Sequence, residues 1–193
     1  MIIKVLGTLF LKVVSLFRLI YNKSSLAVLL RKKNYSIKIG RDFVFNFHNS
    51  TIEIQDEAIV KVGDGLNFRG YCNVLVAKNA NLTVGDSVFF NRYCSINCLY
   101  KISIDDYTIF GEGVKLYDHN YDYKSGGDKV RFAGYRKSEI AIGKNCWIGS
   151  NVTILNNVKI GDNVIIGANN LIHKSIPSNS IIKSKVDFII ENR

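Results

Sequence analysis

Three histidines are the side chains of this chain best suited to moving a proton near neutral pH. Their settings differ. His48 lies in Phe45-Asn-Phe-His-Asn49, inside an early repeat, and His173 follows the last regular aliphatic position at a corner. Both read as structural or surface residues. His119 stands in Tyr117-Asp-His-Asn120, at the mouth of a polar stretch, and its position makes it the candidate general base. The four cysteines, Cys72, Cys94, Cys98 and Cys146, show neither CxxC pairing nor zinc-type spacing with histidine. They are expected as packed thiols, with Cys146 on an inward position. No GxSxG elbow, Walker loop or dinucleotide fingerprint is present. Gly63-Asp-Gly65 and Gly111-Glu-Gly113 read as corner glycines rather than phosphate cradles.

The elements that would position His119 are written in a period of six. Ile142, Ile148, Ile154, Ile160, Ile166 and Ile172 recur at that spacing, and Gly143, Gly149, Gly161 and Gly167 follow four of them. A second comb, Val152, Val158 and Val164, keeps the same phase. Six fits neither a helical period nor simple strand alternation. It fits a triangular coil whose sides are short strands, with glycine expected to supply a corner conformation. Upstream the rhythm recurs in Val62-Gly63 with Phe68, in Val84-Gly85 with Phe90, Ile96 and Ile102, and in Ile104, Phe110-Gly111 and Leu116. Ile39-Gly40 and Phe45 are placed in the first coil. The phase slips between these runs, so small bulges are expected. From Tyr117 to Glu139 the pattern vanishes, and a long insertion in a regular solenoid carries function or meets a partner. The chain therefore divides into a basic amphipathic helical segment at 1–36, a β-helix at 37–177 with a protruding loop at 117–139, and a tail at 178–193.

A length of 193 residues, 47% of them hydrophobic, supports a continuous core without disulfides. Residues 1–38 hold eight basic residues and no acid, most of the net charge of +10. On a helical wheel Lys4, Lys12, Ser15, Arg18 and Asn22 share one sector, and Ile2, Leu6, Phe10, Val13 and Phe17 lie opposite. Ser24-Ser25 reads as an N-cap for a second short helix that ends at Arg31-Lys32-Lys33. The charges exclude a spanning helix. Two roles stay open: an interfacial helix on anionic lipid, or a cap over the end of the solenoid. No motif accompanies the basic stretch, so nucleic acid is not an expected partner. The apolar N-terminus lacks a small-residue cleavage site, which points to the cytoplasm, with peripheral contact at the inner face of the cell membrane.

Trp147-Ile-Gly-Ser-Asn-Val-Thr-Ile, continuing to Ala168, resembles the hexapeptide-repeat acyltransferases, whose fold is a left-handed parallel β-helix. Within them the chain is most similar to the maltose and galactoside O-acetyltransferase branch, which includes enzymes acting on surface polysaccharides. Lys174-Ser-Ile-Pro177 resembles that branch's coil ending, Tyr117-Asp-His-Asn120 its active-site histidine motif, and Phe90-Asn91 with Arg92 to Ile96 its substrate-side asparagine segment. The likeness runs from about Val84 to Pro177.

The resemblance implies acetyl transfer from acetyl-coenzyme A to a sugar hydroxyl, with His119 as base. It implies Asn91 and Asp118 on the carbohydrate acceptor, and Trp147, Ser150, Ala168 and Lys174 on the coenzyme. It also implies a homotrimer whose grooves lie between subunits. The acceptor expected is a sugar of a cell-surface polysaccharide, capsule or O-antigen, or its lipid-linked precursor. N-acetylation of an amino sugar or other amine, and a non-catalytic β-helix scaffold, are the alternatives. Asn169-Asn170 in place of a small pair, His173 in place of threonine, and the basic N-terminus depart from the branch pattern.

Overall fold

The computed structural model describes residues 14, 16, 23–30, 34–125 and 134–184. It is the expected parallel β-helix: three six-stranded parallel sheets form the sides of a triangular coil. Each coil visits the first, second and third sheet in turn, as in Ile59–Val62, Asn67–Phe68 and Asn73–Val76. Each strand then pairs in register with its counterpart one coil on. Inward residues alternate with outward ones along every strand, so each comb position stacks on its like. Val74, Ile96, Leu116, Ile154 and Ile172 form one such column, and Phe68, Phe90 and Phe110 another. These rings are near-parallel, with centroids 4.5 and 4.2 Å apart. Thr108, the buried polar member of a corner column, donates to Gly143 O at 2.9 Å and accepts from Cys146 N–H at 3.1 Å. Its burial is thus compensated.

The slipping phase upstream has a simple cause. Corner bonds between coils span 22 residues at Asp64–Asp86, 20 at Asp86–Asp106 and 18 at Lys144–Asp162. Only the last is three hexapeptides. Longer early coils carry four-residue strands and extra corner residues.

Gly65 and Gly113 hold positive φ, 72° and 68°, as corner glycines should, but the glycines that follow the aliphatic comb do not supply the corner conformation expected of them. Gly143, Gly149 and Gly161 lack positive φ; Asn145, Asn151, Asn157, Asn163 and Asn169 hold it, with φ between 55° and 61°. Asparagine tolerates that region, and its side chain adds a ladder: Asn145 Nδ2 donates to Asn163 Oδ1, and Asn163 Nδ2 to Asn179 Oδ1. Glycine is required for a different reason. A Cβ on Gly149 would sit 2.7 Å from Ala168 N and from Ile166 O in the next coil.

Residues 23–30 are helical and close the N-terminal end of the coil, where Leu29 joins the core and Leu26 packs against it. Tyr35 Oη donates to Leu29 O at 2.7 Å. Ser24 and Ser25 lie within this helix, whose described part begins at residue 23, so they do not mark its start. The expected amphipathic helix of residues 1–22 falls outside the described residues, apart from Val14 and Leu16, which are helical. Among the described residues no helix is long and apolar enough to cross a membrane. At the other end Ile181–Ile182 pairs with Ile165–Ile166 and extends the second sheet past Pro177.

Two substitutions test this packing. Ile154→Asp puts a charge into a fully buried column and is expected to leave the chain unfolded. Gly149→Ala forces two coils apart and should cost about 1–3 kcal/mol, seen as a lower midpoint in thermal melting by circular dichroism. Wild-type melting of either variant would contradict the register.

Candidate active site

The insertion leaves the coil at the end of the third-sheet strand Lys115–Tyr117 and returns at Ile140–Ile142 of the first sheet. Its base is an antiparallel hairpin, with His119–Tyr121 paired to Tyr135–Lys137. Departure has a backbone consequence. Ile59 and Asn81 donate to Ala80 O and Tyr100 O of the next coil. Lys101, their counterpart in the register, donates instead to the side chain of Asp118, at 2.8 Å. Tyr100 N–H reaches the same oxygen, Oδ2, at 2.7 Å, and Leu99 N–H reaches Oδ1 at 2.8 Å. The carboxylate stands in for coil backbone that has turned away.

Asp118 is 0% exposed. Its remaining acceptor capacity goes to His119, whose Nδ1 lies 3.2 Å from Oδ1. Asp118 was expected on the acceptor, but it has no surface to offer and sits behind the histidine. A carboxylate that accepts on both oxygens selects the tautomer with hydrogen on Nδ1, which leaves Nε2 as a proton acceptor. Tyr135 and Tyr117 meet the imidazole edge-on, with centroids 5.2 and 6.1 Å away and planes at 87°. The His119 side chain is 16% exposed. Held on three sides, the imidazole has little freedom to rotate.

His119 opens onto a cleft of about 460 Å³ whose walls include Leu75, Asn97, Leu99, Tyr135 and Lys137. None of these five was singled out from the sequence. Leu75, Asn97 and Tyr117 stack across three coils of the third sheet, and that outward column became visible only once the register was known. Cys98, beside Asp118, is no nucleophile: burial first, and then the carboxylate, push its thiol far up. All four cysteines are free and buried, as expected. Among the described residues no group of histidine, cysteine and carboxylates could hold a metal. His48 and His173 are exposed and lie away from this cleft.

The other expected site residues gather elsewhere. Trp147, 53% exposed, points outward from the second sheet between Ile109 and Ile165. It lines a groove of about 330 Å³ with Tyr107, Asn145 and Asn163. Asn91, Gly111, Gly149 and Gly167 follow one another up the corner beyond that sheet, each donating its N–H to the coil above. Asn91 Oδ1 caps Arg92 N–H at 2.9 Å. Ser150 and Ala168 belong to the same corner. A Cβ on Gly111 would come within 2.6 Å of Ser150 N, so glycine there keeps that N–H uncovered by a neighbouring side chain. Lys174 follows Ile172 on the third sheet, two coils above Leu116. The expected site residues therefore fall into two separate groups: His119 at the end of the third sheet, with Lys174 two coils above on the same edge, and Trp147, Ser150, Ala168 and Asn91 on and after the second.

The model of the family described as "Bacterial transferase hexapeptide (six repeats)" matches residues 140–174, and this stretch is a hexapeptide repeat of that kind. No curated protein matches. Among solved structures, a galactoside acetyltransferase in complex with coenzyme A is 28% identical, at TM-score 0.47, over 61% of this chain and 54% of its own. A maltose O-acetyltransferase from Clostridium difficile 630 is 23% identical, at TM-score 0.48, over 77% and 64%. The chain thus spans less than two thirds of the length of either. An N-acyltransferase from Bacillus cereus, in complex with dTDP and coenzyme A, is 14% identical over 80% and 83%, at TM-score 0.52, and shares the fold.

Asp118→Asn supplies the check on this geometry. Whichever way the amide is flipped, its NH₂ meets a backbone N–H that needs an acceptor. The variant should lose about 1–3 kcal/mol of stability, measured by denaturant unfolding. Unchanged stability would show that the three N–H groups do not depend on the carboxylate.

Proposed function

We propose that the chain is an acetyl-coenzyme A-dependent O-acetyltransferase acting on a sugar hydroxyl of a cell-surface polysaccharide or of its lipid-linked precursor. The observation that carries this reading is the imidazole of His119, held by buried Asp118 with Nε2 left to accept a proton, at the wall of a cleft lined by amide, apolar and lysine side chains. Acetyl-coenzyme A supplies the acetyl group as a thioester. Nε2 takes the proton of the acceptor hydroxyl as its oxygen attacks the thioester carbonyl. The developing negative charge is met by the Ser150 N–H beside Gly111. Collapse of the adduct expels the thiolate, which recovers the proton from His119. No enzyme nucleophile is needed. Asp118 is a positioning residue that fixes the tautomer.

The donor's other contacts fall to Trp147, Ala168 and Lys174, and the acceptor's to Asn91. Trp147, Ala168 and Asn91 lie away from His119, whereas Lys174 follows the third sheet two coils above it, so a complete site needs the second sheet of a neighbouring copy. Phe89, Ile109, Trp147, Ile165 and Ile181 form a column of outward side chains on that sheet, Ile109, Ile165 and Ile181 among its exposed apolar members. A homotrimer accounts for both features.

The N-terminus gives a reason for a membrane-bound acceptor. Leu29 packs into the core, whereas Val28 and Leu30 are 61% and 47% exposed on the same helix. Lys4, Lys12 and Arg18 lie upstream of it and Arg31, Lys32, Lys33 and Lys38 downstream, in a segment that holds no acid. This arrangement suits the surface of an anionic bilayer at the inner face of the cell membrane.

His119→Ala should fold, and should lower acetyl transfer to a panel of sugars by about 10²–10⁴-fold, followed by thiol release from acetyl-coenzyme A. Full activity in that variant would remove His119 from the chemistry. Preferential transfer to amino sugars at nitrogen would favour amine acetylation. The intact chain should also co-sediment with anionic vesicles and release at high salt, because screening lengths fall to about 3 Å at 1 M. Removal of residues 1–22 should weaken that binding and preserve transfer to a small soluble acceptor. Indifference of the intact chain to vesicles would contradict the membrane role.

A further inference from the structure

We infer that the acceptor carries an anionic group, carboxylate or phosphate, close to the attacked hydroxyl, and that Lys137 binds it. This rests on the reading of His119 as the base and adds the chemical class of the acceptor. Lys137 is paired directly with His119 across the hairpin. Directly opposed residues of an antiparallel pair share a face, with Cβ atoms about 4.5–5.5 Å apart. Both side chains accordingly line the same cleft.

The charges around that cleft are accounted for, except this one. Lys78, also on its wall, reaches Glu57 at 3.5 Å, and Lys101 reaches Glu139 at 3.0 Å. Arg136, on the opposite face of the hairpin, reaches Asp122 at 3.5 Å. Glu53 accepts from Gln55 Nε2, and Asp118 is enclosed by backbone N–H groups. Among the described residues no carboxylate pairs with Lys137. A neutral sugar would be served by amides and apolar contacts alone. Asn97 provides such a contact: its Nδ2 donates to Ser95 Oγ at 2.9 Å, and its amide oxygen accepts from none of the described residues. An ammonium within one strand pairing of the base adds a requirement that a carboxylate or phosphate meets.

The test measures acetyl transfer and, separately, ligand binding without acetyl donor, using methyl glucoside, glucuronate and glucose 1-phosphate as probes. The wild-type chain should favour the anionic probes over the neutral one by roughly tenfold or more, the worth of one charge-assisted hydrogen bond. Lys137→Gln should bring kcat/KM for the anionic probe down to the neutral level, through KM, and Lys137→Arg should restore it. A preference for glucuronate assigns a sugar carboxylate, and one for glucose 1-phosphate assigns a phosphate linkage. Equal transfer to neutral and anionic probes, or a preference that survives Lys137→Gln, overturns the inference and leaves the acetyl-transfer reading standing. Anionic binding that depends on Lys137, with no transfer to any probe, supports the anion site and counts against the acetyl-transfer reading instead.

Discussion

Each coil of this solenoid depends on its neighbours for its backbone hydrogen bonds, and the rest of the molecule follows from that constraint. A strand of two to four residues cannot satisfy its own N–H and C=O groups, so the coil above must run in register at the same three sides. Register forces like onto like inside, which produces the aliphatic columns and the phenylalanine stack. It also brings corners so close that a side chain on Gly149 would collide with backbone. In the later coils asparagine takes the left-handed corner positions, where its amides continue the ladder on the outside.

The candidate site arises where this constraint is broken. When the chain leaves the coil after Tyr117, backbone N–H groups at Leu99, Tyr100 and Lys101 need another acceptor. Asp118 provides it. A carboxylate anchored in that way is rigid and wholly buried, and the next residue in sequence is the histidine it holds. The structural repair and the orientation of His119 are thus one arrangement. A proton acceptor with its tautomer fixed and its ring clamped by two tyrosines is suited to take a proton without a reorganisation cost.

The sequence made the solenoid legible because the aliphatic comb and its glycines are spaced uniformly where the coils are 18 residues long. It was less legible upstream, since coils of 22 and 20 residues shift the phase without changing the fold. The glycines that follow the aliphatic comb were found for the wrong reason, whereas Gly65 and Gly113 do hold left-handed corners. A one-dimensional pattern shows that a side chain is excluded, not whether dihedral strain or a neighbouring coil excludes it. His119 stood out by its place beside the insertion. Asp118 could not be ranked behind it, because its partners lie 17 to 19 residues earlier. Asn97 and Lys137 escaped notice for the same reason: one joins the cleft through coil stacking, the other through a hairpin whose register only the structure reveals. Trp147 and Ser150, picked out by resemblance, lie on a different edge of the prism from His119, a separation that no reading along the chain could show.

That separation defines the central claim, a site completed by two copies of the chain. Mixing two damaged subunits measures it most directly. His119→Ala and Trp147→Ala are each expected to be inactive as homogeneous assemblies. Unfolded and refolded together, they should regain activity, because in random closed assemblies about a quarter of the sites combine an intact His119 edge with an intact Trp147 edge. Recovery near that fraction of the wild-type rate is the predicted result. No recovery in verified mixed assemblies would place the whole site within one chain and contradict the account.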